Sequence, residues 1–286
     1  MRRLFYMFLL SACICQTLPA QEDQNDISCR SDQKKNAAYK KKLWDGYEIS
    51  LGPVRDQEET EFRCTAAIYN SSGRVVFRTS GFNVTFDENL TGKDFDGDGK
   101  PDVVFRTDRG GGNHCCWGYI MYSLSPKPHK LFEISMGARV DFEKDKDGKT
   151  VIWQRVSAPG AFGTSMAGRP FAEKVFRVRE GKLMDATPEF CETTDVRFER
   201  HQMTPEEIAQ LASAGEPGAV DKEHIISALE ARTAQHVFCH EYDEAMKDIN
   251  LWPAEKRELV IENLLDALGK EYPEFTAKLR QPPKHN

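Results

Sequence analysis

The chain has 286 residues, enough for one medium domain and a smaller one, and sets 39 basic against 45 acidic residues for a net charge of −6. An acidic balance argues against nucleic acid as a partner, because phosphates demand a basic surface. Beyond the first residues no apolar run is long enough to span a bilayer, so any membrane contact would come through a lipid anchor.

Residues 1–20 predict an export signal: Arg2 and Arg3 supply the charge, and an apolar core runs from Leu4 through Leu10 and beyond. Two exits compete. Leu10-Ser11-Ala12-Cys13 matches a bacterial lipobox that would lipidate Cys13, whereas ordinary cleavage would follow Ala20. With Arg2 and Arg3 gone from the 39 basic residues, 37 would face 45 acidic ones, a net charge of −8. Either exit sends the chain to the periplasm, the cell envelope or the outside.

Outside that signal the cysteines are Cys29, Cys64, Cys115, Cys116, Cys191 and Cys239. An even set in an oxidising compartment predicts disulfides, with pairing open from sequence. Cys239 points to Cys191 or Cys29, and Cys64 is one partner open to the Cys115-Cys116 pair.

Residues 21–42 are polar and lysine-rich, which predicts an N-terminal arm. A β-rich domain follows over 43–191. Its apolar segments are short and punctuated by turn residues: Asn70 to Gly73 before Val75, Asp147-Gly148 before Val151, and Glu180-Gly181 after Val178. Val75-Val76-Phe77-Arg78-Thr79 recurs as Val103-Val104-Phe105-Arg106-Thr107, and Asp96, Asp98, Gly99 and Lys100 recur as Asp145, Asp147, Gly148 and Lys149. These echoes predict stacked hairpins: a partial propeller, a small β-sandwich or a divergent hairpin stack.

The pattern turns helical over 200–282. Thr204-Pro205-Glu206-Glu207 carries N-cap chemistry, a longer helix starts near Asp221 with Leu229, Val237 and Phe238 on its packed side, and another runs from Pro253 to Leu268. In that last helix Leu259, Leu264, Leu265 and Leu268 are expected on one face, with Gly269 as the C-terminal cap. The fold class is therefore mainly β with a C-terminal helical appendage.

The most specific motif is Asp94-Phe95-Asp96-Gly97-Asp98-Gly99-Lys100-Pro101-Asp102. Four carboxylates alternating along one tight loop repel one another unless a cation sits among them, and Ca²⁺, which takes about 6 to 8 oxygen ligands, is the natural occupant. An EF-hand is ruled out, because the position of its bidentate acid is held by Phe105 inside an apolar strand. The stretch from Leu90 to Arg106 resembles the calcium loops of FG-GAP and VCBS-type repeats, those of integrin-α-like propellers and many exported bacterial proteins. The resemblance implies Asp94, Asp96, Asp98 and Asp102 as side-chain ligands and Lys100 as a carbonyl ligand. Residues 143–153 share it weakly. Val151 stands there in place of the last aspartate, so the second loop reads as a solvated turn.

Gly110-Gly111-Gly112-Asn113-His114-Cys115-Cys116-Trp117 admits structural disulfides, a vicinal Cys115-Cys116 bridge, or soft-metal binding through His114 and the two thiols. His236, Cys239 and His240 have helical metal-ligand spacing, for which a disulfide at Cys239 is the simpler reading. Gly163 to Gly168 holds Ser165 without the spacing of a nucleophile elbow. The leading expectation is thus an exported, calcium-stabilised binding or adhesion module for an extracellular or envelope protein or glycan. The alternative is a metal-dependent hydrolase or a thiol-redox protein using His114, Cys115 and Cys116.

Overall fold

A computed structural model describes residues 27–30, 38–55, 62–108, 117–157, 171–192, 219–252 and 254–280. The expected signal segment with Cys13, the His114-Cys115-Cys116 stretch, the Ser165 loop and the helix expected at Thr204 lie outside these residues. In chain order the strands are β1 (Ile27–Arg30), β2 (Tyr39–Lys42), β3 (Glu48–Arg55), β4 (Phe62–Tyr69), β5 (Val75–Gly81) and β6 (Asn83–Phe86). They continue as β7 (Asp102–Asp108), β8 (Trp117–Ser123), β9 (His129–Lys144), β10 (Thr150–Ser157), β11 (Phe171–Arg179) and β12 (Lys182–Asp185).

These strands form two open antiparallel sheets, one of order β2-β3-β4-β5 and one of order β1-β6-β7-β8-β9-β10-β11-β12. The larger sheet is a meander from β6 onward, with β1 added beside β6. Residues 21–42, expected as a polar arm, instead supply β1 and β2. Cys29 and Tyr39 carry the apolar side of those strands into the core, while Lys40 and Lys42 stay exposed.

The small sheet covers the first strands of the large one. Ile49, Leu51, Ala66 and Ile68 of β3 and β4 meet Val84, Phe86, Val103, Phe105 and Tyr122 in one buried cluster. The two echoed strings come together here from opposite sheets: Phe77 and Phe105 stack at 5.7 Å, and the Tyr122 hydroxyl donates to the Val76 carbonyl (2.7 Å). A Cys29–Cys64 disulfide joins β1 to β4 across the layers. Cys64 is thereby committed to Cys29 and closed to the Cys115-Cys116 pair.

The opposite face of the large sheet makes a second cluster. Val104, Tyr119, Met121, Ile134 and Ile152 pack there with Phe176 and Leu183. β7 is therefore buried on both faces, and its Val-Val-Phe run lacks the polar alternation of a half-exposed strand.

Four helices are described after the sheets: α1 (Ala219–Phe238), α2 (Tyr242–Leu251), α3 (Ala254–Leu268) and α4 (Pro273–Leu279). Leu229, Val237 and Phe238 are buried as expected, but α3 packs through Val260, Leu264 and Leu268 and leaves Leu259 exposed. Leu259 precedes Val260 on the helix and so projects about 100° away from it. Gly269 closes α3: its amide donates to the Leu265 carbonyl (2.9 Å), and a Cβ would meet that oxygen at 2.3 Å.

Three contacts dock the helices, two on β11 and one on the segment after β12. Gln235 lies along the stretch of β11 that β12 does not reach, accepting from the Glu173 amide (2.9 Å) and donating to its carbonyl (3.2 Å) as a strand neighbour would. Lys174 pairs with Glu271 and lies over the rings of Phe238 and Tyr272. Cys191 is bonded to Cys239. The two disulfides fit a chain that folds in a non-reducing compartment. No described helix is long and apolar enough to cross a membrane.

Candidate metal centre

Antiparallel neighbours send successive connections to alternate ends of a sheet. The β6–β7 connection therefore lies at one end of the meander and the β9–β10 turn at the other. The two acidic loops, similar in sequence, do not share a face.

The β6–β7 connection is pinned before it reaches the aspartates. Asp87 accepts from the amides of Asn89 (3.1 Å) and Leu90 (2.9 Å), setting a turn. The Thr91 hydroxyl accepts from the Val104 amide (3.0 Å) and so occupies part of β7's ladder. The Gly92 amide donates to the Asp102 carbonyl and the Asp102 amide to the Lys93 carbonyl, both at 2.8 Å. Leu90 and Phe95 are buried in the second cluster, where the Phe95 ring meets Phe142 edge-on at 5.8 Å. Sequence alone does not announce these anchors; an apolar residue alternating with aspartates is the signal available for Phe95.

Between the anchors the loop closes on its own carboxylates. Asp94 accepts from the amides of Gly97 (2.6 Å) and Gly99 (2.9 Å), Asp96 from Asp98 (3.1 Å), and Asp98 from Lys100 (2.7 Å). Gly97 and Gly99 adopt φ of +82° and +80°, the left-handed region that glycine enters without cost.

Asp94, Asp96 and Asp102 each bring a carboxylate oxygen within 4.8 Å of the other two. Asp98 is outside that group of three, and its Oδ1 is held by Lys100. Asp102, at the start of β7, is fully buried. Its Oδ2 accepts from the Phe95 amide (2.8 Å), but its Oδ1 has no hydrogen-bond partner. Such an atom costs roughly 1–3 kcal/mol or more unless something meets it.

The electrostatics follow from this crowding. Burial pushes the Asp102 carboxyl up to about 7; the Phe95 amide opposes the shift, the charge of Asp96 adds to it, Ser123 opposes it, and the charge of Asp94 adds further. The help from Ser123 is limited, because its hydroxyl donates to the Ser125 carbonyl (3.0 Å). Asp96 is also raised, first by burial, and then by Asp98 and Asp94 against the Asp98 amide. A cation in reach of the three carboxylates would remove the repulsion and satisfy the free oxygen.

The second acidic turn is built differently. Asp145 accepts from the amides of Asp147 and Lys149 (both 2.9 Å), and its other oxygen receives the Arg177 guanidinium at 2.7 Å. Burial works to raise this carboxyl, but the Lys149 and Asp147 amides and the charge of Arg177 outweigh it and hold it below its usual range. Arg177 thus supplies the countercharge for Asp145.

In the helices, His236 Nδ1 meets Glu241 Oε2 at 2.8 Å, while Cys239 is in its disulfide and His240 packs beside Tyr242. The His236, Cys239 and His240 spacing therefore does not converge on one point.

Fold and site define a class: a disulfide-stapled, mainly-β protein carrying an acidic loop at one end of its larger sheet. No protein-family model matches the chain, and no curated protein matches it.

Proposed function

We propose that the protein is an exported calcium-binding module in which one Ca²⁺ locks the β6–β7 connection, allowing that end of the sandwich to bind an extracellular or envelope protein or glycan. The single observation that carries this reading is the convergence of the Asp94, Asp96 and Asp102 carboxylates, the last of them buried with an Oδ1 that has no hydrogen-bond partner. The ion would take these three carboxylates, the second oxygen of Asp98 and the Lys100 carbonyl, the ligand set of the FG-GAP and VCBS-type loops that the sequence resembles. Its role would be structural: it offsets the repulsion that opposes the closed loop, so binding energy becomes folding energy. Export to the periplasm or beyond, as a lipoprotein through Cys13 or as a soluble protein, would supply both the calcium and the oxidising conditions that the disulfides need.

Thermal unfolding tests the reading. Wild type in calcium should melt several degrees above wild type in chelator, magnesium should substitute poorly, and Asp94→Ala and Asp98→Ala should melt low and ignore calcium. Equal melting of wild type in calcium and in chelator would refute it.

A further inference from the structure

The end of the sandwich that holds the aspartate loop also holds a small cleft, between the end of β2 with its turn into β3 and the Glu88–Thr91 turn. Its volume is about 230 Å³. That is below the about 300–1,000 Å³ of pockets for drug-sized molecules and suits one six-membered ring. Leu43, the half-buried Trp44 and the buried Phe86 give it an apolar floor, and Thr91 closes one side. The Thr91 hydroxyl is already committed to the Val104 amide.

The polar groups are arranged unevenly. Lys41 is paired with Glu88 and lies over the Phe86 ring at 5.3 Å, which places a donor and an acceptor side by side on the wall. Lys40, outside the cleft, is 3.6 Å from Glu48. Lys42 lines the cleft, is exposed, and meets no acid among the described residues. The cleft thus carries one surplus positive charge in a chain whose net charge is −6.

We propose that this cleft binds a single hexuronate ring, its apolar C–H face on Trp44, its hydroxyls on the Lys41–Glu88 pair and its carboxylate on Lys42. An aromatic face takes the C–H side of a pyranose, and adjacent hydroxyls both donate and accept, as a lysine–glutamate pair requires. A carboxylate is the group that the surplus ammonium selects. This assignment rests on the reading of a glycan-binding module and names its sugar class. The aspartate loop shares its backbone with the Glu88–Thr91 wall, so calcium would hold that wall in place.

Saturation-transfer NMR and calorimetry with methyl glucuronide, methyl glucoside and N-acetyl-leucine test it, in calcium and in chelator. Methyl glucuronide should bind about fivefold more tightly than methyl glucoside, the advantage that one exposed ion pair gives. Lys42→Gln, at an exposed side chain, should erase that preference without changing the melting temperature. Trp44→Ala should lose both sugars while keeping the wild-type circular dichroism. Equal affinity for the two sugars, no binding of either, or tighter binding of N-acetyl-leucine by wild type would overturn the assignment. A calcium-dependent melting temperature without glucuronide binding defeats only this inference; glucuronide binding without any calcium effect defeats only the calcium reading.

Discussion

Replacing Asp102 by asparagine separates the cost of its buried charge from the benefit of an ion. In the metal-free protein its carboxyl is pushed from 3.8 up to about 7, first by burial. Between those values the folded state holds a proton that the unfolded state has lost. Stability in chelator therefore falls as pH rises from about 4 to about 7, and is level above that. A rise of that size is worth at most about 4 kcal/mol, equivalent to roughly 7 °C in melting temperature for a chain of this length. Asp102→Asn keeps the acceptor for the Phe95 amide and turns the unpartnered oxygen into an NH₂ that Asp94 and Asp96 can accept. The assay is melting temperature against pH, wild type minus variant, in chelator and in calcium. In chelator the variant should match wild type near pH 4 and exceed it by up to that margin at pH 8. In calcium at pH 8 the order should reverse, because only wild type offers the ion a full carboxylate. A pH-independent difference in chelator, or a variant less stable than wild type there at pH 8, would show that the Asp102 carboxyl carries no buried-charge cost.

Other perturbations probe the frame around the site. Cys29→Ser with Cys64→Ser removes a bridge spanning a sequence separation of 35, and should cost about 3–4 kcal/mol by chain entropy, read as a lower denaturation midpoint that reductant, now acting on Cys191–Cys239, shifts less than it shifts wild type. Gln235→Leu strands the amide and carbonyl of Glu173; a loss of roughly 2–4 kcal/mol is expected, with hydrogen exchange at Glu173 accelerated relative to β7. Arg177→Met removes the positive charge that helps to hold the Asp145 carboxyl down. The carboxyl of Asp145 should then titrate higher by NMR while the calcium response of the melting temperature stays as in wild type.

What the sequence disclosed divides along local and non-local lines. The turns at Asn70, Asp147 and Glu180, the strands beside them and the start of α1 follow from short-range chemistry, and each stands close to where turn residues and apolar spacing put it; α1 ends at Phe238, short of the His240 expected on it. β1 and β2 did not show themselves, because each is a short run dominated by polar or charged residues, and only Cys29, Tyr39 and a few neighbours turn inward. The echo of Val75–Thr79 in Val103–Thr107 reflects two strands that face each other across a sandwich, where Phe77 must fit Phe105. The aspartate loop was legible as an acidic array. The burial of Asp102 was not, since it depends on Phe95 and Ser123 closing around the carboxylate. Nor could the second turn's neutralisation be seen: Arg177 reaches Asp145 across a separation of 32 residues through the pairing of β9, β10 and β11.

On the function proposed above, Asp94, Asp96 and Asp102 hold a calcium ion. Isothermal titration of chelator-treated protein with CaCl₂ near neutral pH addresses it most directly, alongside the Asp94→Ala, Asp96→Ala double variant. One site per chain is expected in wild type, with much weaker uptake of magnesium and no uptake by the double variant. Absence of a site in wild type, or the same stoichiometry and affinity in the double variant, would contradict it.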